Sequence, residues 1–127
     1  MEKGIKNIIE TSVSNENTAA TMGSGTLAVF ATPAMIALIE ETAWKSVMPY
    51  LDNGLCTVGT KLDINHVSPT PVGMSVKCET ELIEIDGRKL KFKADVYDET
   101  GLIGTGTHER FIVTSDKFQQ KADSKKA

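Results

Sequence analysis

One stretch of this chain sets the terms for its fold. Thr32 to Lys45 is the only long helical pattern in a sequence that otherwise reads as strands. Thr32 followed by Pro33 is a helix start signal, with a hydroxyl at the N-cap and proline at the first helical position. Met35, Leu38, Ile39, Thr42, Ser46 and Val47 recur at helical spacing and define one inward face. Pro49 and the turn Asp52-Asn53-Gly54 end the helix. A single helix must then cover whatever sheet the remaining residues build.

Those residues alternate. Ile5 to Val13 reads as a first strand and Thr18 to Gly25 as a small polar loop. Beyond Gly54, Val58, Leu62 and Ile64 are apolar at even positions, while Lys61, Asp63 and Asn65 are polar. Alternate residues of a strand share a face, so His66 falls on the apolar side with Ile64. Met74 to Leu82 and Leu90 to Val96 repeat the pattern around the hairpin signal Asp86-Gly87. A turn at Asp98 to Gly101 leads into a last strand, Leu102 to Thr114. The order is strand, helix, then antiparallel strands, which is the α+β class. A curved antiparallel β-sheet wrapped around one long central helix is the hotdog fold. Gly104 and Gly106 are expected to let the helix approach the sheet closely. Residues 1–118 are expected to form a single domain and residues 119–127 a frayed tail.

Composition narrows the function. A chain of 127 residues with 40% hydrophobic and 24% charged residues suits one soluble domain. A formal net charge of -3 gives nucleic acid no basic surface to bind. No apolar run approaches the ~20 residues of a membrane span. The N-terminal residues carry no apolar core of a secretory signal, so a cytoplasmic location is expected. Cys56 and Cys78 are too few for a disulfide framework, and two Cys with two scattered His predict no metal site. Gly101, Gly104 and Gly106 lie in a strand pattern and do not form a phosphate-binding loop.

Within the helix, two adjacent carboxylates differ. Glu41 has Lys45 four residues on, in the favourable order for a surface pair. The helical neighbours of Glu40 are Ile36, Ala37, Ala43 and Trp44, and none pairs with a charge. Glu40 is therefore a candidate acid or base, against the plainer reading that it points to water. Thr32 is a cap by position and also a hydroxyl at the positive end of the helix. His66 is either a core histidine or a proton carrier.

Three segments carry a resemblance. The first is Val29-Phe30-Ala31-Thr32 running through Met35, Leu38 and Glu40 to Met48-Pro49-Tyr50-Leu51. The second is Gly59-Thr60 through Asn65-His66 to Thr70-Pro71-Val72-Gly73. The third is Gly104-Thr105-Gly106-Thr107-His108-Glu109-Arg110. With them the chain resembles the hotdog acyl-CoA thioesterases, in the branch of the fluoroacetyl-CoA-specific enzymes. The resemblance implies a catalytic set of Thr32, Glu40 and His66, with Gly59 and Arg110 at the substrate. It also implies a small acyl-CoA as substrate, no cofactor beyond the CoA carried by that substrate, and at least a homodimer. Where the fluoroacetyl-specific branch has a lid phenylalanine, this chain has Thr26. A non-catalytic acyl-CoA-binding module on the same fold is the alternative, and a hotdog hydratase is a further one.

Overall fold

The computed structural model describes residues 1–126. Strand β1 spans Lys6–Ser12 and a one-turn helix α1 spans Ala19–Met22. Helix α2, Thr32–Val47, is followed by a 3-10 turn at Met48–Tyr50. Strands β2 (Leu55–His66), β3 (Ser75–Asp86), β4 (Lys89–Asp98) and β5 (Leu102–Thr114) come next, and α3 (Ser115–Asp123) closes the described chain. The strands form one sheet in the order β1-β3-β4-β5-β2, every neighbouring pair antiparallel. β1 and β2 are its edges.

Helix α2 lies across the sheet and buries the face its sequence pattern predicts. Met35, Leu38 and Ile39 pack with Phe30, Val76, Cys78 and Ile103. One turn further, Ala43 and Val47 pack with Leu82, Leu90 and Phe92. Burial of each large side chain of this kind stabilises the fold by about 1.5–3 kcal/mol. Gly104 lets the helix come close, because a Cβ there would lie 2.5 Å from the Met35 sulfur. Gly106 does not serve the helix as expected. Its absent side chain makes room for β2, since a Cβ would lie 2.0 Å from the Asp63 carbonyl oxygen.

Four further features differ from the sequence reading, each for a local reason. Ala31 is the N-cap of α2, without a side-chain cap, and Thr32 is the first helical residue. The Thr32 hydroxyl is engaged elsewhere. The segment expected as a loop contains α1, capped by the Thr18 side chain at Thr21 N–H and ended by Gly23 in the left-handed region at φ 75°. One turn is too short to show a period. Residues Gln119 to Asp123, expected in the tail, continue α3, whose residues are none of them buried and so leave no apolar stripe to read. Finally, the register of β2 against β5 shifts between Gly59 and Lys61. Such a bulge reverses which parity faces inward. Thr57 is buried and Gly59 faces the helix, whereas beyond the bulge Leu62, Ile64 and His66 are the inner residues. Val58 is therefore on the outer face, opposite the exposed Phe111, and does not share a face with Leu62.

Candidate active site

Two separate groups of polar residues lie along α2. The first is at its N-terminus. His66 ends β2 on the inner face, and its Nδ1 is 2.7 Å from Thr32 Oγ1. Burial pushes the His66 pKa below its usual value, which favours the neutral ring. In the neutral tautomer with Nδ1 unprotonated the Thr32 hydroxyl donates to it, which sets the imidazole as a base toward that hydroxyl; in the other tautomer Nδ1–H donates to Thr32 Oγ1. His66 Nε2 is buried and has no hydrogen-bond partner among the described residues. The first turn of a helix also leaves backbone N–H groups without intrahelical partners, at the positive end of its dipole. Thr32 and His66 border a cavity of about 340 Å³ that Ala19, Ser24, Val29 and Ser68 also line. A larger cavity of about 670 Å³ lies between β1 and the other side of α2, lined by Ile9, Phe30, Ala37 and Glu41. It holds no histidine and no part of either polar group, so size does not locate the chemistry.

The second group surrounds Glu40, eight residues after Thr32 and so about 12 Å further along the helix at 1.5 Å per residue. Its carboxylate is not isolated, as the helical neighbours alone suggested. Arg110 Nη1 lies 3.7 Å from Glu40 Oε2, with the arginine side chain 6% exposed and the glutamate 40%. Arg110 donates from Nε to Thr57 Oγ1 and from Nη2 to the Thr57 carbonyl, both at 2.8 Å. Its Nη1 is 3.2 Å from His108 Nε2. Burial lowers the Arg110 pKa and the Glu40 charge opposes that shift. His108 is fully buried, its Nδ1 2.8 Å from the Lys61 carbonyl. That carbonyl accepts only, so Nδ1 carries the proton and Nε2 accepts from Arg110. Burial, then the neighbouring Arg110, hold the His108 pKa below its usual value. Gly59 sits over this group, where a Cβ would lie 2.7 Å from Glu40 Oε2 and 3.3 Å from Arg110 Nη1.

Thr32 and His66 thus come together, and Glu40, Gly59 and Arg110 come together, but one protomer keeps the two groups apart. Thr57 and His108 were not singled out as site residues from the sequence. His108 and Arg110 share the parity of Gly104, which the approach of the helix requires to face inward, and that parity is the available signal. Glu41 makes the surface pair expected of it, 2.6 Å from Lys45 Nζ with both side chains nearly half exposed. Glu41→Gln should cost no more than about 0.5 kcal/mol, checked by urea unfolding.

Comparison with known proteins decides the family. The family model described as fluoroacetyl-CoA-specific thioesterase matches residues 13–116. The chain belongs to that family. It is 36% identical over 97 residues to the fluoroacetyl-CoA thioesterase of Streptantibioticus cattleyicolor, spanning 76% of this chain and 70% of that one. A solved structure of a fluoroacetyl-CoA thioesterase superposes with a TM-score of 0.93 at 30% identity, covering 98% of this chain and 97% of the other. A mutant of such an enzyme in complex with acetyl-CoA gives 0.95 at 28% identity, covering all of both chains. A thioesterase superfamily member from Thermus thermophilus gives 0.90 at 26% identity over 98% and 93%. The hotdog fold and the assignment as a thioester hydrolase follow from this membership.

Proposed function

We propose that this chain hydrolyses a small acyl-CoA to the free acid and CoA, with Thr32, His66 and Glu40 as its catalytic set. The observation that carries the reading is the 2.7 Å contact between Thr32 Oγ1 and His66 Nδ1 at the open N-terminus of α2. Thioester cleavage needs a nucleophile, a base and a place for the oxyanion. Neutral His66 takes the proton of Thr32, or of a water that Thr32 holds. The first-turn N–H groups of α2 stabilise the oxygen of the tetrahedral intermediate, and His66 returns its proton to the departing thiolate; where Thr32 itself attacks, a water deprotonated by His66 then cleaves the acyl–Thr32 ester, releasing the free acid and restoring the hydroxyl. Gly59 and Arg110 act at the substrate through Glu40: the glycine leaves room beside the backbone and the arginine holds the carboxylate. No step calls on a metal or redox cofactor.

The separation of about 12 Å along α2 bears on assembly, since Glu40 does not reach His66 within one protomer. A homodimer in which the Glu40 of one copy meets the Thr32 and His66 of the other resolves this. It also covers an exposed edge, and β2, the edge strand that carries Gly59 and His66, offers the longer one. Sedimentation at micromolar concentration should give twice the chain mass or a multiple of it. A fully active monomer would end the shared-site reading. Two free cysteines suit a reducing, cytoplasmic setting.

A screen of acyl-CoAs of varied acyl size, reading free thiol, tests the reaction. Activity on none of them would defeat this function. The segment Gly23 to Ala28 beside the dyad has no aromatic ring, and Leu27 in it is 66% exposed. A pocket closed only by small residues separates substrates that differ by one small group by about 10- to 200-fold. The preference in kcat/KM for fluoroacetyl-CoA over acetyl-CoA should therefore stay below about 10³, with a larger acyl-CoA turned over best. A higher preference would show that selectivity here arises without a ring in that segment.

A further inference from the structure

The geometry points to Thr57 and His108 as positioning residues: together they hold the Arg110 guanidinium so that it fixes Glu40 for thioester hydrolysis. This rests on the role proposed above for Glu40. Arginine normally takes its five donors to solvent or to a carboxylate. Arg110 is buried and takes three of them to uncharged protein acceptors, Thr57 Oγ1, the Thr57 carbonyl and His108 Nε2. These three bonds fix the plane of the guanidinium, and the Nη1 edge is left turned toward Glu40 at 3.7 Å.

Each acceptor is itself fixed. Thr57 comes from the part of β2 before the bulge, the only phase in which its side chain faces inward beside Arg110. His108 is held by the Lys61 carbonyl just after the bulge and stacks on Phe92, with ring centroids 6.2 Å apart. The bulge between Gly59 and Lys61 thus allows both residues to address one guanidinium, a placement typical of irregularities near functional sites. Neither side chain lines the cavity at Thr32 and His66 of the same protomer. Their effect reaches the chemistry through Arg110 and Glu40. A purely structural network would stabilise the fold and leave kcat alone.

The test is a set of variants assayed on the best acyl-CoA, each first shown to be folded by circular dichroism. Thr57→Val removes the Oγ1 acceptor and keeps the shape. It should lower kcat about tenfold with KM within twofold, and Thr57→Ser should restore kcat to within twofold of wild type. His108→Phe keeps the ring against Phe92 and removes the Nε2 acceptor; it should lower kcat by a similar factor. In a Glu40→Gln background, Thr57→Val should add less than twofold, because residues acting as one unit are non-additive. Unchanged kcat in folded Thr57→Val and His108→Phe overturns the positioning role while leaving Glu40 in place. A full tenfold loss in the Glu40→Gln background overturns it as well. If Glu40→Gln itself is as active as wild type, the proposed role of Glu40 fails first, and this inference fails with it. Should Thr57→Val not fold, His108→Phe, alone and in the Glu40→Gln background, decides on the same criteria.

Discussion

Replacing His66 by alanine is expected to lower kcat on the best acyl-CoA by about a hundredfold or more, the scale of a positioned acid–base group. His66 Nδ1 is the acceptor nearest the Thr32 hydroxyl, at 2.7 Å, and no other titratable side chain of the described residues hydrogen-bonds to that oxygen. KM should change little, because the ring acts on a proton that moves in the transition state. The pH dependence has a definite sign. The base must be neutral, and burial makes protonation of His66 harder than for a free imidazole. Activity should hold as the pH falls past about 6.5, where an ordinary histidine is half protonated, and decline only below it. The residual activity of the alanine variant should lack that acid limb. A limb centred above neutrality, or a folded alanine variant with near-normal turnover, would remove His66 from the mechanism.

How far the chain discloses itself in sequence differs between the two polar groups. The His66 side of the site was legible because two short-range periods meet there. The alternation of Leu62, Ile64 and His66 holds beyond the bulge, and Thr32 opens a helix that its own proline marks. By position alone the hydroxyl reads as a cap. In the structure Ala31 caps, and Thr32 is free to meet a histidine 34 residues later. The Glu40 side was half legible. An unpaired carboxylate on the helix could be seen, but its partner lies on the last strand, at a separation no local pattern reports. The reading of Val58 as an inner residue failed for a related reason. A one-residue register shift is invisible in a sequence where Gly59 and Thr60 fit either face. Helices α1 and α3 escaped because one is a single turn and the other buries nothing. Where burial imposes a period the chain is readable, and where side chains meet across a bulge or at the surface it is not.

The remaining large effect is expected at a residue with no side chain. Gly59→Ala places a Cβ 2.7 Å from Glu40 Oε2, 3.3 Å from Arg110 Nη1 and 3.4 Å from His108 Cε1. Separations this short force something to move. Arg110 is held by Thr57 and His108, whereas the Glu40 carboxylate is the far end of a flexible, partly exposed side chain. The carboxylate is therefore what shifts, and the fold is spared. Gly59 does not hold a left-handed backbone conformation, and alanine suits a strand at least as well as glycine does. Stability should stay within about 1 kcal/mol of wild type. Displacement of a catalytic group by ~1 Å costs up to about a hundredfold in rate, so kcat should fall by roughly ten- to a hundredfold with a melting temperature close to wild type. Glu40→Gln keeps the side chain's size and removes its charge; it should lower kcat about a hundredfold or more. The double variant should be little slower than Glu40→Gln alone, because the alanine acts by moving a carboxylate that is no longer there. A folded Gly59→Ala enzyme with unaltered kcat would mean that the carboxylate works equally well displaced, and the geometry around Arg110 would then have no hold on the reaction.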